Sequence, residues 1–249
     1  MIGIGMTGLI LQLDERRVVK VAKTYSLDVY VGTPSFDDME YINDINRKTL
    51  ENETNIYQRL GHYEGIIPCL QTSNYGIELA FAEQGNLEDY IKAKPEPPEC
   101  LKIEWILSII DTLSYVHSQR VLVDDIALRN VLVADGQLKL ADFGQSILLP
   151  ISTDMDTVCD NDLTTRIEIL NLGWVIYSIA VWHVHRYYLF DKEHDMQWPK
   201  PQELPPTEGL FCRTLLERCW NGQYINMKTL KEEAYETLVC DRKESICCL

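Results

Sequence analysis

Asp125, Asn130 five positions on and Asp142 twelve beyond that are the residues of this 249-residue chain whose types and spacing suit chemistry. Carboxylate and amide oxygens are ligands for a hard divalent cation, and a further carboxylate can orient an incoming hydroxyl, so the set suits a phosphate-transfer site. The cysteines do not offer an alternative chemistry. None of the eight forms a C-x-x-C pair, and His183, His185 and His194 lack zinc spacing. His183 and His185 read better as core-edge or surface residues than as ligands.

Positioning Asp125, Asn130 and Asp142 needs a hairpin between them, and the apolar runs at 131–133 and 138–140 about Asp135-Gly136 supply one. Upstream, the run 9–13, a turn at Asp14-Glu15-Arg16 and the valine-rich 17–23 make a second hairpin. Ser35 is a candidate helix cap, with Asp37 and Asp38 in the first turn where the dipole favours acids. Leu50, Ile56, Tyr57 and Leu60 follow a helical period that ends at Gly61. Short strands are expected at 66–69 and 77–81, then helices at 87–92, 105–117 and 168–182, and two more after the Pro-rich stretch 199–206. A strand-rich first third thus precedes a helical remainder, with the shift near 80–86.

Lys plus Arg number 23 against 38 for Asp plus Glu, a formal charge of -15 that repels phosphate backbones and anionic lipid alike. Nucleic acid is not expected as a partner, whereas a basic protein would be attracted. The most apolar stretch, 167–182, carries Glu168 and Asn171 and is too short and polar to span a bilayer. Without a signal peptide, reduced thiols in a cytoplasmic or nuclear setting are expected. Ile246 stands fourth from the end, so Cys247-Cys248-Leu249 does not obey the C-a-a-X rule.

The run Val123-Asp124-Asp125-Ile126-Ala127-Leu128-Arg129-Asn130, followed by Asp142-Phe143-Gly144, resembles the catalytic loop and DFG motif of the protein kinases. Gly3-x-Gly5-x-x-Gly8-x-Ile10 resembles their glycine-rich loop, where glycine lets backbone amides approach an anion closely. A strand lysine at Lys20, a helical Glu53, a connecting segment 79–87, the run-in His117-Ser118-Gln119-Arg120-Val121 and a late Cys219-Trp220 follow in family order. The resemblance implies an α+β, bilobal kinase-like fold in a single domain over 1–249. Its strand-rich lobe would cover about 1–79, its hinge about 80–85 and its helical lobe about 86–249.

The same resemblance implies ATP and Mg²⁺ as cofactors and a protein as phosphate acceptor. Lys20 would hold the α- and β-phosphates and pair with Glu53; Asp125 would orient the substrate hydroxyl; Asn130 and Asp142 would ligate magnesium. Gly3, Gly5 and Gly8 would cover the phosphates. Ile10, Val18 and Leu132 would sandwich the adenine, and Leu79, Ala80 and Ala82 would edge it. Tyr57, Val123 and Phe143 would stack between the lobes. Lys20 and Lys23 are three apart and face opposite sides of a strand; Lys20 is preferred, with Lys23 the alternative.

The chain departs from the family at named positions. Asp124 replaces an arginine that in many kinases binds the phosphate of the activation loop, and an aspartate would repel it. The segment from Asp142 to Glu168 is short and has no A-P-E, which suggests activity without activation-loop phosphorylation. Glu168 stands where kinases commonly have an aspartate bracing the catalytic loop. Thirty-two residues separate Lys20 from Glu53, so the helix carrying Glu53 is long or preceded by an insert. The expected activity is a protein kinase, Ser/Thr rather than Tyr. A pseudokinase scaffold is the alternative and a small-molecule phosphotransferase a third reading.

Overall fold

The computed structural model describes residues 1–28, 35–189 and 197–246, with side chains to Val239, so the Cys247-Cys248-Leu249 tail lies outside the described residues. The first lobe is an antiparallel sheet in the order β1-β2-β3-β5-β4, built from β1 (Gly3–Ile4), β2 (Gly8–Gln12), β3 (Arg17–Ala22), β4 (Cys69–Ser73) and β5 (Gly76–Ala80). The valine-rich β3 takes the central place, as β-branched residues do on a pleated, packed surface. Asp14 fixes the turn before it, accepting the Arg16 N–H at 2.9 Å and pairing with Arg17 Nε at 2.8 Å. Period-two alternation buries Val18 and Lys20 on one face. Lys23 lies past the strand end with its ammonium 5.2 Å from the Tyr25 ring centre.

A single long helix, α1 (Ser35–Leu60), carries Glu53 and takes up the part of the interval after Lys20 from residue 35 onward. Ser35 is its first residue, so the cap position falls outside the described residues, while Asp37 and Asp38 do stand in the first turn. The strand expected at 66–69 begins later, at Cys69, because Pro68 has no N–H to give a ladder. Ile66 and Ile67 instead reach the second lobe: the Ile67 N–H donates to Leu140 O at 3.0 Å and the Leu140 N–H to Gly65 O at 2.7 Å.

The second lobe holds α2 (Leu87–Ala93), α3 (Glu99–Ser118), α4 (Thr165–Val181), α5 (Arg213–Trp220) and α6 (Met227–Ile246). It also carries the hairpin β7 (Val131–Ala134) and β8 (Gln137–Leu140), and the short pair β6 (Val121–Leu122) and β9 (Ile147–Leu148). α4 is buried on nearly every side, which explains its unbroken apolar run. No helix among the described residues is long and apolar enough to cross a membrane. The arrangement is the expected α+β, bilobal one.

Candidate active site

Lys20 Nζ lies 2.6 Å from Glu53 Oε2 and 2.7 Å from Asp142 Oδ1, joining β3, α1 and the segment after β8 at one point. Glu53 is fully buried and Lys20 nearly so. Burial works against the charge on Lys20, but the Glu53 and Asp142 carboxylates outweigh it and hold the ammonium above its ordinary value. Burial also raises Glu53, against the pull of Lys20. The Phe143 N–H donates to Glu53 Oε1 at 3.3 Å. Asp142 itself sits at φ 62°, a left-handed backbone that a non-glycine residue adopts only when its surroundings impose it.

A set of side-chain to backbone bonds ties α1 to the segments around it. Asn43 and Tyr25 exchange two bonds, Tyr25 N–H to Oδ1 at 2.8 Å and Nδ2 to Tyr25 O at 2.9 Å. Asn46 Nδ2 donates to Lys23 O at 2.8 Å, tying α1 to the exit of β3. On the other side Asn52 Nδ2 donates to Gly144 O at 3.2 Å and Ser146 O at 2.8 Å. Arg59 Nη1 reaches Gln119 O at 3.1 Å and Leu149 O at 3.2 Å. Tyr57 meets Phe143 edge to face at 5.3 Å, and Phe143 and Val123 are both buried.

Asp125 and Asn130 are brought together in the loop before β7. Asn130 Nδ2 donates to Asp125 O at 2.9 Å and to Asp125 Oδ2 at 2.8 Å. Arg129 Nη2 holds the same carboxylate at 2.5 and 2.7 Å. Glu168, fully buried at the start of α4, accepts the Val123 N–H at 2.5 Å and lies 2.9 Å from His117 Nε2. The longer acid therefore reaches the catalytic-loop backbone. The sequence did not single out Asn43, Asn46, Asn52 or Arg59, because polar residues on a helix read as a solvated face. Asn43 and Asn46 stand three apart on one face and Asn52 and Arg59 seven apart on the opposite one, so no single polar stripe marks them as turned inward.

The remaining site residues flank the same sheet. Val18 and Leu79 are cross-strand partners, and both are buried along with Ala82; Ile10, Ala80 and Leu132 are half-buried against the core. The Gly5 N–H closes the turn between β1 and β2 on Gly8 O at 2.8 Å, with Gly3 paired to Ile10. A Cβ on Gly8 would lie 3.2 Å from Lys20 Cε and from Val21 O, so glycine lets β2 lie against the lysine stem. The donor set fits a divalent cation: Asn130 has both protein contacts on its amide nitrogen, leaving its oxygen, and the Asp142 side chain is half exposed. These oxygens and the Lys20 ammonium fit a magnesium nucleotide.

The sequence profile of the protein kinase domain matches residues 21–166, more than half of the chain. The match begins just after Lys20, so the glycine loop and Lys20 stand on geometry. A Dictyostelium discoideum protein named "Probable inactive serine/threonine-protein kinase" is 33% identical over 231 residues, 83% of this chain and 18% of its own length. Human NUAK family SNF1-like kinase 2 is 33% identical over 101 residues, 40% of this chain and 16% of its own. Drosophila melanogaster Tyrosine-protein kinase Abl is 25% identical over 234 residues, 85% of this chain and 14% of its own. The chain thus spans less than a fifth of the length of these curated relatives. With the profile running from β3 into α4 over a bilobal fold, the chain belongs to the protein kinase family.

Proposed function

We propose that the chain is an ATP-dependent protein kinase, one domain over 1–249 hinged at 80–85, that phosphorylates a protein hydroxyl of serine or threonine. The observation that carries this reading is Lys20, ion-paired to Glu53 and Asp142 at once, at 2.6 and 2.7 Å. Lys20 binds the inner phosphates, and Glu53 keeps its ammonium aimed. Asn130 and Asp142 hold the cation by their oxygens. Asp125, oriented by Asn130 and Arg129, accepts the hydroxyl proton. Ile10, Val18, Leu79, Ala80, Ala82 and Leu132 form the apolar slot, and Gly3, Gly5 and Gly8 the cover. Mg-ATP, when bound, would supply the γ-phosphoryl group, and its magnesium would neutralise the charge that develops there.

A pseudokinase scaffold is the second reading, favoured by Asp124 in place of the family arginine and by a relative named inactive. Transfer from radiolabelled Mg-ATP to the protein and to a generic basic protein separates the two. Label that disappears in Asp125→Asn and Asp142→Asn supports the kinase, and acid hydrolysis names the acceptor residue. No label from folded protein sinks it in favour of the scaffold.

A further inference from the structure

An antiparallel sheet with one face in water alternates apolar and polar residues, whereas strands covered on both faces run apolar without a break. β2 reads Gly8-Leu9-Ile10-Leu11-Gln12 and runs on into Leu13, and β3 reads Arg17-Val18-Val19-Lys20-Val21-Ala22. The register sorts these side chains. Ile10 and Lys20 are cross-strand partners on the inward face, where Val18 belongs to the core and Ile10 packs against it. The outward face therefore carries Leu9 opposite Val21 and Leu11 opposite Val19, with Ile4 of β1 opposite Leu9. Leu9, Leu11, Val19 and Val21 are half-buried, yet none packs against the core of the described residues, and Ile4 and Leu13 are exposed. Gly76 of β5 extends the face without a side chain, since a Cβ there would fall 2.8 Å from Val19 Cγ2 and 3.1 Å from Val21 Cγ1. With strands about 4.8 Å apart and a same-face repeat of about 6.8 Å, the apolar surface covers roughly 300 Å².

We propose that this face is where two copies of the chain pair, sheet on sheet, about a two-fold axis. Charge selects that occupant. Residues 1–28 and 69–80, which form the sheet and its turns, carry four basic and four acidic side chains, so the formal charge of -15 belongs entirely to the rest of the chain. Two copies repel each other wherever those acidic surfaces meet, and the neutral sheet is where they approach without that cost. A basic partner is drawn to the acidic remainder instead. The face is also self-complementary, as a two-fold contact requires, because aliphatic rows interleave with their own kind at the spacing of packed sheets, about 10 Å. Lys20 lies on the other face of the sheet, so pairing leaves it uncovered. A stable interface takes about 800 Å² from each partner, well above this face, so the dimer is a reversible one that dissociates at about micromolar concentration.

Sedimentation equilibrium of the full chain, from about 1 to 100 µM, reads the association directly. A monomer–dimer equilibrium is expected. Leu11→Lys, at the centre of the face, should raise the dissociation constant about tenfold or more. Should that variant fail to fold by circular dichroism, Ile4→Lys with Leu13→Lys puts the same charge on two side chains that are already exposed, 64% and 47%. Ile151→Lys changes an equally exposed aliphatic residue of the other lobe and should leave the equilibrium as it was. A chain that stays monomeric over the whole range overturns the proposal. So does a dimer that survives the face variants or responds equally to Ile151→Lys. Species larger than a dimer overturn it as well, because a two-fold contact through one face closes on itself.

Discussion

Lys20 serves two carboxylates, so its loss strands a buried acid as well as removing a cation. Taking one partner from a buried pair costs about 3–5 kcal/mol, and Lys20→Met should lower the Tm accordingly. Adding Glu53→Gln should recover part of that loss in thermal unfolding; a Lys20→Met chain as stable as its parent would show Glu53 to be satisfied elsewhere. Asp124 gives a test with the opposite sign. Partial burial, and then the neighbouring Asp125 charge, push its carboxyl above the ordinary value of 3.8. The folded chain therefore disfavours the ionised form. Asp124→Asn should raise the Tm at neutral pH, and the gain should fade as the pH drops through the raised value toward 3.8 and below. Residue types alone expose Asp125, Asn130 and Asp142, because seventeen positions of chain hold them around one hairpin. Lys20 against Lys23 needs the strand's exact phase, which the structure supplies through the burial of Val18 and Lys20 together.

Among the elements, α1 carries the largest share of the positioning. Asn52→Ala removes two bonds to the carbonyls of Gly144 and Ser146, a loss of about 1–3 kcal/mol. Amide exchange over 143–149 should speed up while α3 and α4 keep their protection. Unchanged exchange there would mean that Arg59 and Phe143 hold the segment without Asn52. Gly65 lies between α1 and β4 where the chain touches α3 of the second lobe, and a Cβ there would fall 1.7 Å from Thr112 Oγ1. Gly65→Ala should cost about 1–3 kcal/mol by overpacking, with part regained when Thr112 becomes alanine. The major helices were legible because their apolar periods are long. β9 was not, since two residues carry no period, and the strand at 66–69 was misplaced because Pro68 looks no different from its neighbours to an apolar count.

For the molecule as a whole, the order of the lobes was visible in the shift from strand-forming to helix-forming segments near 80–86. The contacts that join them were mostly not, because the bonds of Gly65 and Ile67 to Leu140 are backbone bonds that any residue could make and Asn52 and Arg59 look like solvated helix residues. A nucleotide gripped by both lobes should stabilise the fold by mass action. Mg-ATP at a hundredfold excess over its Kd should add about 2.7 kcal/mol, a Tm rise that EDTA and Asp142→Asn each diminish. No rise with either nucleotide or metal would leave the cleft without its proposed occupant.

Two backbone links join one lobe to the other. One is the covalent link between β5 and α2; the second is the pair of bonds that Gly65 and Ile67 make with Leu140. A plate with two backbone fastenings turns most easily about the line through them once side-chain bonds such as those of Asn52 and Arg59 give way. The sheet should therefore rock over the larger lobe as a door swings, without sliding or twisting. Asp142 lies two residues from one of the pins, so that swing should leave it nearly still while the glycine tip, far from the axis, travels most.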